Sequence, residues 1–145
     1  MDKYLTLRST DCTQLYPDNQ PWRFRVLLNE PIHSDQRWVI ALVDISILNW
    51  DIGRKSECRD IYVYSSVCSA SYVGDKKEPL LRRLCLMGNK RERTFEFVRG
   101  QYVPIRLSTI DSIDIDIKTE SGDPASFIKG PVTLTLHLKP VPFWF

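Results

Sequence analysis

Apolar residues recur at every second position through most of this chain, and that period limits what it can fold into more than any other feature. Near its end, Val132, Leu134, Leu136 and Leu138 alternate with Thr133, Thr135, His137 and Lys139. Successive side chains of an extended backbone point to opposite faces, so the alternation describes a β-strand with one apolar and one polar face. An earlier run is built alike, with Trp22, Phe24, Val26 and Leu28 set against Arg23 and Arg25. No segment carries a convincing helical repeat, and the chain is predicted to be all-β.

Eight main strands are expected. They cover Tyr4 to Arg8, Trp22 to Leu28, Trp38 to Leu48, Ile61 to Tyr64 with a continuation towards Val73, Leu80 to Met87, Tyr102 to Leu107, Ile113 to Ile117, and Val132 to Lys139. Thr94 to Val98 is either a further short strand or one arm of a hairpin broken at Gly100. In the third strand, Trp38 to Val43 is apolar on both faces, as in a strand covered on both sides. Its β-branched Val39, Ile40, Val43, Ile45 and Ile47 favour strand over helix. Pro31 is expected to end the second strand, and Gly74-Asp75 and Gly88-Asn89 to turn the chain. Pro104 confines its strand to an edge or a bulge, because proline cannot donate to a ladder.

A chain of 145 residues has the length of one domain, and folding at this size buries roughly 70% of the unfolded surface, enough for a core without covalent staples. Short strands joined by several long connections fit Greek-key crossings better than a meander. The expected architecture is a single jelly-roll β-sandwich of eight main antiparallel strands in two sheets, spanning residues 1–139. A C-terminal aromatic tail, 140–145, follows it, in which two prolines are expected to stop the last strand ahead of Phe143, Trp144 and Phe145. Three aromatics in a row form an adhesive patch when exposed. Either they fold back over the end of the sandwich, or they contact a neighbouring subunit or partner protein, where aromatic rings supply large contact area. The second reading is favoured.

An apolar fraction of 43% and a charged fraction of 26% are those of a globular protein. No run approaches the roughly 18 apolar residues of a membrane span. The first residues enter a strand without an apolar leader of secretory type, and none of Asn19, Asn29, Asn49 or Asn89 opens a glycosylation sequon. Cys12, Cys58, Cys68 and Cys85 are spaced like neither a disulfide framework nor a zinc site. All four are expected to be free thiols, in a protein that folds in the cytosol or nucleus.

Little in the residue pattern suggests chemistry. His33 and His137 are the only histidines and are far apart, so no metal site is expected. No serine or cysteine is accompanied by a base and an orienting group. Asp114 and Asp116 share one face of an alternating strand and read as its solvent side, not as an acid–base pair. The six glycines are scattered at turns, with no phosphate-binding loop. No catalytic, cofactor-binding or metal-ligating residue is therefore expected, and no small-molecule substrate. The net charge of +2 does not identify a polyanionic partner. Basic residues do cluster between Lys76 and Arg93, but glutamates and strand alternation interrupt them, as on a solvated face. The sharper reading is a weak nucleic-acid contact through Arg82, Arg83, Lys90 and Arg91.

Taken in order, Ile61-Tyr62-Val63-Tyr64, Val73-Gly74-Asp75, Pro79-Leu80-Leu81-Arg82, Tyr102-Val103-Pro104, Ile113-Asp114-Ile115-Asp116-Ile117, Gly122 with Pro124, Phe127 and Gly130, and Thr135-Leu136-His137-Leu138 resemble one family. It is the penton, or minor capsid, protein of Polinton-related double-stranded DNA viruses, including adintoviruses and adomaviruses. The likeness runs from Asp60 to Leu138, and Tyr4-Leu5-Thr6-Leu7, Tyr16-Pro17-Asp18-Asn19 and Trp38 to Ile45 extend it towards the start. The resemblance implies a single jelly roll that assembles as a homopentamer at the five-fold vertices of an icosahedral capsid, among capsomers of a double-jelly-roll major capsid protein. It implies a virion location, assembly in the nucleus or cytoplasm of an infected cell, contact with the genome at most weakly, and no catalysis. Where family members often carry a long insertion, this chain has only Asp51 to Arg59, which implies a bare vertex plug. The turn Gly122-Asp123-Pro124 departs from the basic residue common at its centre, and there is no Arg-Gly-Asp tripeptide. The alternative from another class is a non-viral binding module, a trimeric cytokine-like or carbohydrate-binding β-sandwich.

Overall fold

The computed structural model describes residues 2–33, 37–53, 58–89 and 91–141. Among the described residues eleven strands follow one another: β1 (Lys3–Arg8), β2 (Arg23–His33), β3 (Arg37–Ile47), β4 (Cys58–Tyr64), β5 (Ser71–Val73), β6 (Lys76–Glu78), β7 (Leu80–Met87), β8 (Arg93–Glu96), β9 (Val103–Pro104), β10 (Thr109–Thr119) and β11 (Val132–Val141). Eight of them build two four-stranded antiparallel layers, ordered β1-β11-β3-β8 and β2-β10-β4-β7. The chain crosses repeatedly from one layer to the other, which is the jelly roll expected from the sequence. β5 and β6 form a separate hairpin, and β9 adds a short edge to β3.

The core lies between the layers and is drawn from the alternating positions. Leu134, Leu136 and Leu138 of β11 face Ile113, Ile115 and Ile117 of β10 across the sandwich, all fully buried. In β3 the inward set changes phase, from Ile40 and Leu42 to Ile45 and Ile47. The cause is a bulge: Leu42 pairs with Leu136 and Asp44 with Thr135, leaving Val43 without an opposite number. One extra residue inverts every later side chain. The doubly apolar look of Trp38 to Val43 thus comes partly from a phase change and partly from real cover on the outer face, where Ala41 is also buried.

Prolines account for two departures from expectation. Pro31 does not end β2, which continues to His33. Leu28, Asn29, Glu30 and Pro31 bow out opposite Asp111 alone, so the missing proline N–H costs no ladder bond. Likewise Pro140 does not stop β11: it pairs with Trp38, and Val141 with Arg37. The strand expected over Tyr102 to Leu107 shrinks to Val103–Pro104, at the edge position that Pro104 demands. Thr94 to Val98 resolves as β8, paired with β3, and Gly74 turns the β5–β6 hairpin with φ of 63°.

The expectation of four free thiols fails for one pair. Cys58 and Cys85 are joined in a disulfide, their Cα atoms 6.1 Å apart, within the usual range for such a bond. They stand diagonally across the β4–β7 ladder, where Asp60 opposes Cys85 and Cys58 opposes Met87. Sequence spacing hides this because only strand pairing makes the two positions neighbours.

At one end of the sandwich the β3–β4 connection packs against the β10–β11 connection. Trp50 is buried there, bridged to Ile128, and its indole N–H donates to the Gly88 carbonyl at 2.6 Å. Gly130 lies so close that a Cβ would meet the Asn49 backbone nitrogen at 2.9 Å. The open edge of β2 is covered by Asn19, whose side-chain amide donates to the Arg25 carbonyl at 2.9 Å and accepts from the Arg25 N–H at 3.0 Å. Such a clamp imitates a strand and blunts an edge that would otherwise pair with another chain.

Candidate interaction surface

Where β11 leaves the sandwich, the outer face of its sheet carries a cluster of ring and charged side chains. The pairing of β1 with β11 sets Tyr4 beside His137, and the rings stack with centroids 4.4 Å apart and planes within 3°. Tyr102, from the segment ahead of β9, closes the other side with its hydroxyl 2.7 Å from His137 Nδ1. Asp2 Oδ2 lies 3.0 Å from Nε2. Both ring nitrogens of His137 are thus engaged, Nδ1 with the Tyr102 hydroxyl and Nε2 with the Asp2 carboxylate. This outward-facing histidine is only 7% exposed as a result. The cluster ties the first residues of the chain and the β8–β9 connection to the last strand.

Beside it runs a groove of about 500 Å³. Trp38, Val39, Tyr102, Pro104, Pro140 and Val141 make it largely apolar. Lys139 stands at its rim with the ammonium 4.1 Å over the Tyr102 ring, a cation–π contact that holds the ring in place. The sequence offered no signal for this site, because its members come from three strands that only the fold assembles.

The residues singled out from the sequence fall elsewhere. Phe143, Trp144 and Phe145 lie outside the described residues, as does Lys90. Arg82 reaches across the sandwich edge, its guanidinium 4.0 Å over Phe97 and donating to the Arg99 carbonyl at 2.8 Å. Arg83 pairs with Asp60 at 3.2 Å, and Arg91 is exposed. Asp116 does face outward, near Arg23 at 3.5 Å and Lys118 at 3.8 Å. Asp114 serves the architecture instead. Its carboxylate accepts from the Ser66 backbone N–H at 3.1 Å and from the Ser66 hydroxyl, pinning the connection after β4. Among the described residues, Cys58, Asp60 and Cys85 are close enough to share an ion. The two sulfurs are bonded to each other, however, and Asp60 already faces Arg83.

Cys12 and Cys68 are free, and they differ sharply in environment. Burial, reinforced by the Asp114 charge, pushes the Cys68 thiol up to about 12. A thiol reacts through its thiolate, so in native protein at pH 8 iodoacetamide is expected to label Cys12 and leave Cys68 unmodified until the chain unfolds. Peptide mapping by mass spectrometry checks this, and rapid native labelling of Cys68 would contradict it. Because the folded value lies above the ordinary value of 9.0, the stability contributed here is intact below pH 9 and is lost as pH rises towards 12.

No family model matches the chain, and no curated protein matches its sequence. Among solved structures, the crystal structure of the selenomethionine-labelled mavirus penton protein superposes with a TM-score of 0.66 at 5% sequence identity, covering 97% of this chain and 100% of the other. At so low an identity the likeness is one of architecture. Through both sheets and nearly end to end, this chain has the fold of the mavirus penton protein.

Proposed function

We propose that the chain is a structural virion protein, a penton-type minor capsid protein whose copies form a homopentamer at the five-fold vertices of an icosahedral capsid, among capsomers of a double-jelly-roll major capsid protein. The observation that carries this reading is the whole-length match between its single jelly roll and the mavirus penton protein. A closed ring needs two different, complementary patches on every subunit. The sandwich offers two unlike flanks: β1 and β2 expose Tyr4 and Leu27 on one side, while β7 and the residues after β8 expose Met87 and Val98 on the other. Catalysis has no part in this reading.

Light scattering coupled to size exclusion, at several ionic strengths, tests it. The expected native mass is about five times the 16.9 kDa of one chain. Three chains would favour the cytokine-like alternative and count against a vertex role. In particles produced with the major capsid protein, density for this chain is expected at the vertices, and its exclusion from them would sink the proposal.

A further inference from the structure

We propose that reduction of the Cys58–Cys85 disulfide turns this end of the β4–β7 ladder into a zinc site, with the two thiolates and the Asp60 carboxylate as ligands. Cys58 and Asp60 are two residues apart in β4, so their side chains point to the same face. Asp60 lies directly opposite Cys85 of β7, which joins them on the outer face, away from the buried Ile61, Leu84 and Leu86. One ligand atom from each residue falls within 4.8 Å of the other two. Small side-chain shifts convert that triangle into three corners of a tetrahedron, with Zn–S of about 2.3 Å and Zn–O of about 2.0–2.2 Å. The fourth corner faces a groove of about 380 Å³ that Cys58, Asp60 and Glu120 line together, where a water or the exposed Glu120 carboxylate reaches it.

The donor set decides the metal. Sulfur ligands favour zinc over magnesium or calcium, which take oxygen alone. Two thiolates and a carboxylate bring three negative charges to one dication. The Arg83 guanidinium, 3.2 Å from Asp60 Oδ1, offsets the remaining charge and leaves Oδ2 for the ion, since a carboxylate accepts from several directions. It also orients Asp60, as the outer partners of metal-bound carboxylates do.

The two states interconvert by balanced steps. A dithiol reductant gives two electrons and two protons to the S–S bond and becomes a disulfide itself, leaving Cys58 and Cys85 as thiols. Zinc then displaces one proton from each. In the reverse direction the metal leaves as the two thiolates pass two electrons to a disulfide oxidant. β4 and β7 are therefore tied at the same place in reducing and in oxidising surroundings, by an ion in one and a covalent bond in the other. None of this depends on assembly.

The test uses the full chain, stripped of metal and reduced with a phosphine, which takes an oxygen atom from water as the two thiols form. Zinc has a filled d shell, so Co²⁺ serves as the spectroscopic probe under anaerobic conditions. The reduced chain is expected to show thiolate-to-cobalt charge transfer and the intense visible bands of tetrahedral coordination, both erased by added Zn²⁺, while the oxidised chain shows neither. Zinc is also expected to raise the urea midpoint of the reduced chain, which requires binding to the folded form. Asp60→Asn keeps both cysteines and should bind cobalt at least about tenfold more weakly, the smallest loss usual even for an outer partner of a metal ligand. The combined Cys58→Ser and Cys85→Ser variant should lose the sulfur bands, and Cys12→Ser should keep them. Absence of those bands in the reduced chain, their survival without Cys58 and Cys85, an unmoved urea midpoint, or unchanged affinity in Asp60→Asn would each overturn the site.

Discussion

Trp50→Ala is expected to destabilise the fold by about 4 kcal/mol, nearly a thousandfold in the folding equilibrium. The side chain is 1% exposed, and its removal leaves a cavity bounded by Ile128 and the tilted Phe95 ring at 6.4 Å. The Gly88 carbonyl, which accepts the indole N–H, is left without that donor, adding a cost of about 1–3 kcal/mol if water does not reach it. Domains of this size have only about 5–15 kcal/mol in hand. Trp50→Phe separates the two effects, since it keeps most of the ring and loses the N–H. Urea unfolding of the three proteins checks this, and a loss below about 2 kcal/mol for Trp50→Ala would mean that the neighbouring loops collapse into the space.

The second large effect concerns the disulfide. Cys58 and Cys85 are separated by 27 residues, and closing a loop of that length in the unfolded chain is worth about 3.5 kcal/mol in the loop-entropy description. The combined Cys58→Ser and Cys85→Ser variant should be less stable by that amount. Dithiothreitol should bring the unmutated protein down to the same midpoint and leave the variant unmoved. Equal stability with and without reductant would show that the bond is not formed under the conditions used. Because the loop includes the β5–β6 hairpin and the Ser66 connection, losses should appear first as faster amide exchange there.

Much of the fold is legible in the residue pattern. Alternation from Ile113 to Ile117 in β10 and from Val132 to Leu138 in β11 is uninterrupted, so those runs and their buried faces follow directly from a period of two. Leu80 to Met87 is β7 as expected, bounded by a proline and a glycine. Legibility fails where the phase breaks. The bulges at Val43 and Leu81 shift the inward set by one residue, and no local rule in the sequence distinguishes such a shift from a run buried on both faces. A proline reads as a strand end because it lacks a donor, yet Pro31 and Pro140 occupy places where no donor is required.

An all-β sandwich, its main strands and most of its core are written in the order of the residues, because they depend on short-range alternation of side chains. Which distant residues meet is a property of the assembled sandwich alone. Pairing the first strand with the last placed Tyr4 on His137, and β4 beside β7 joined Cys58 to Cys85. The groove beside Lys139 drew on three strands at once. Contacts of this kind depend on strand order and register, which are set by packing across both sheets and leave no trace in the spacing of the residues concerned.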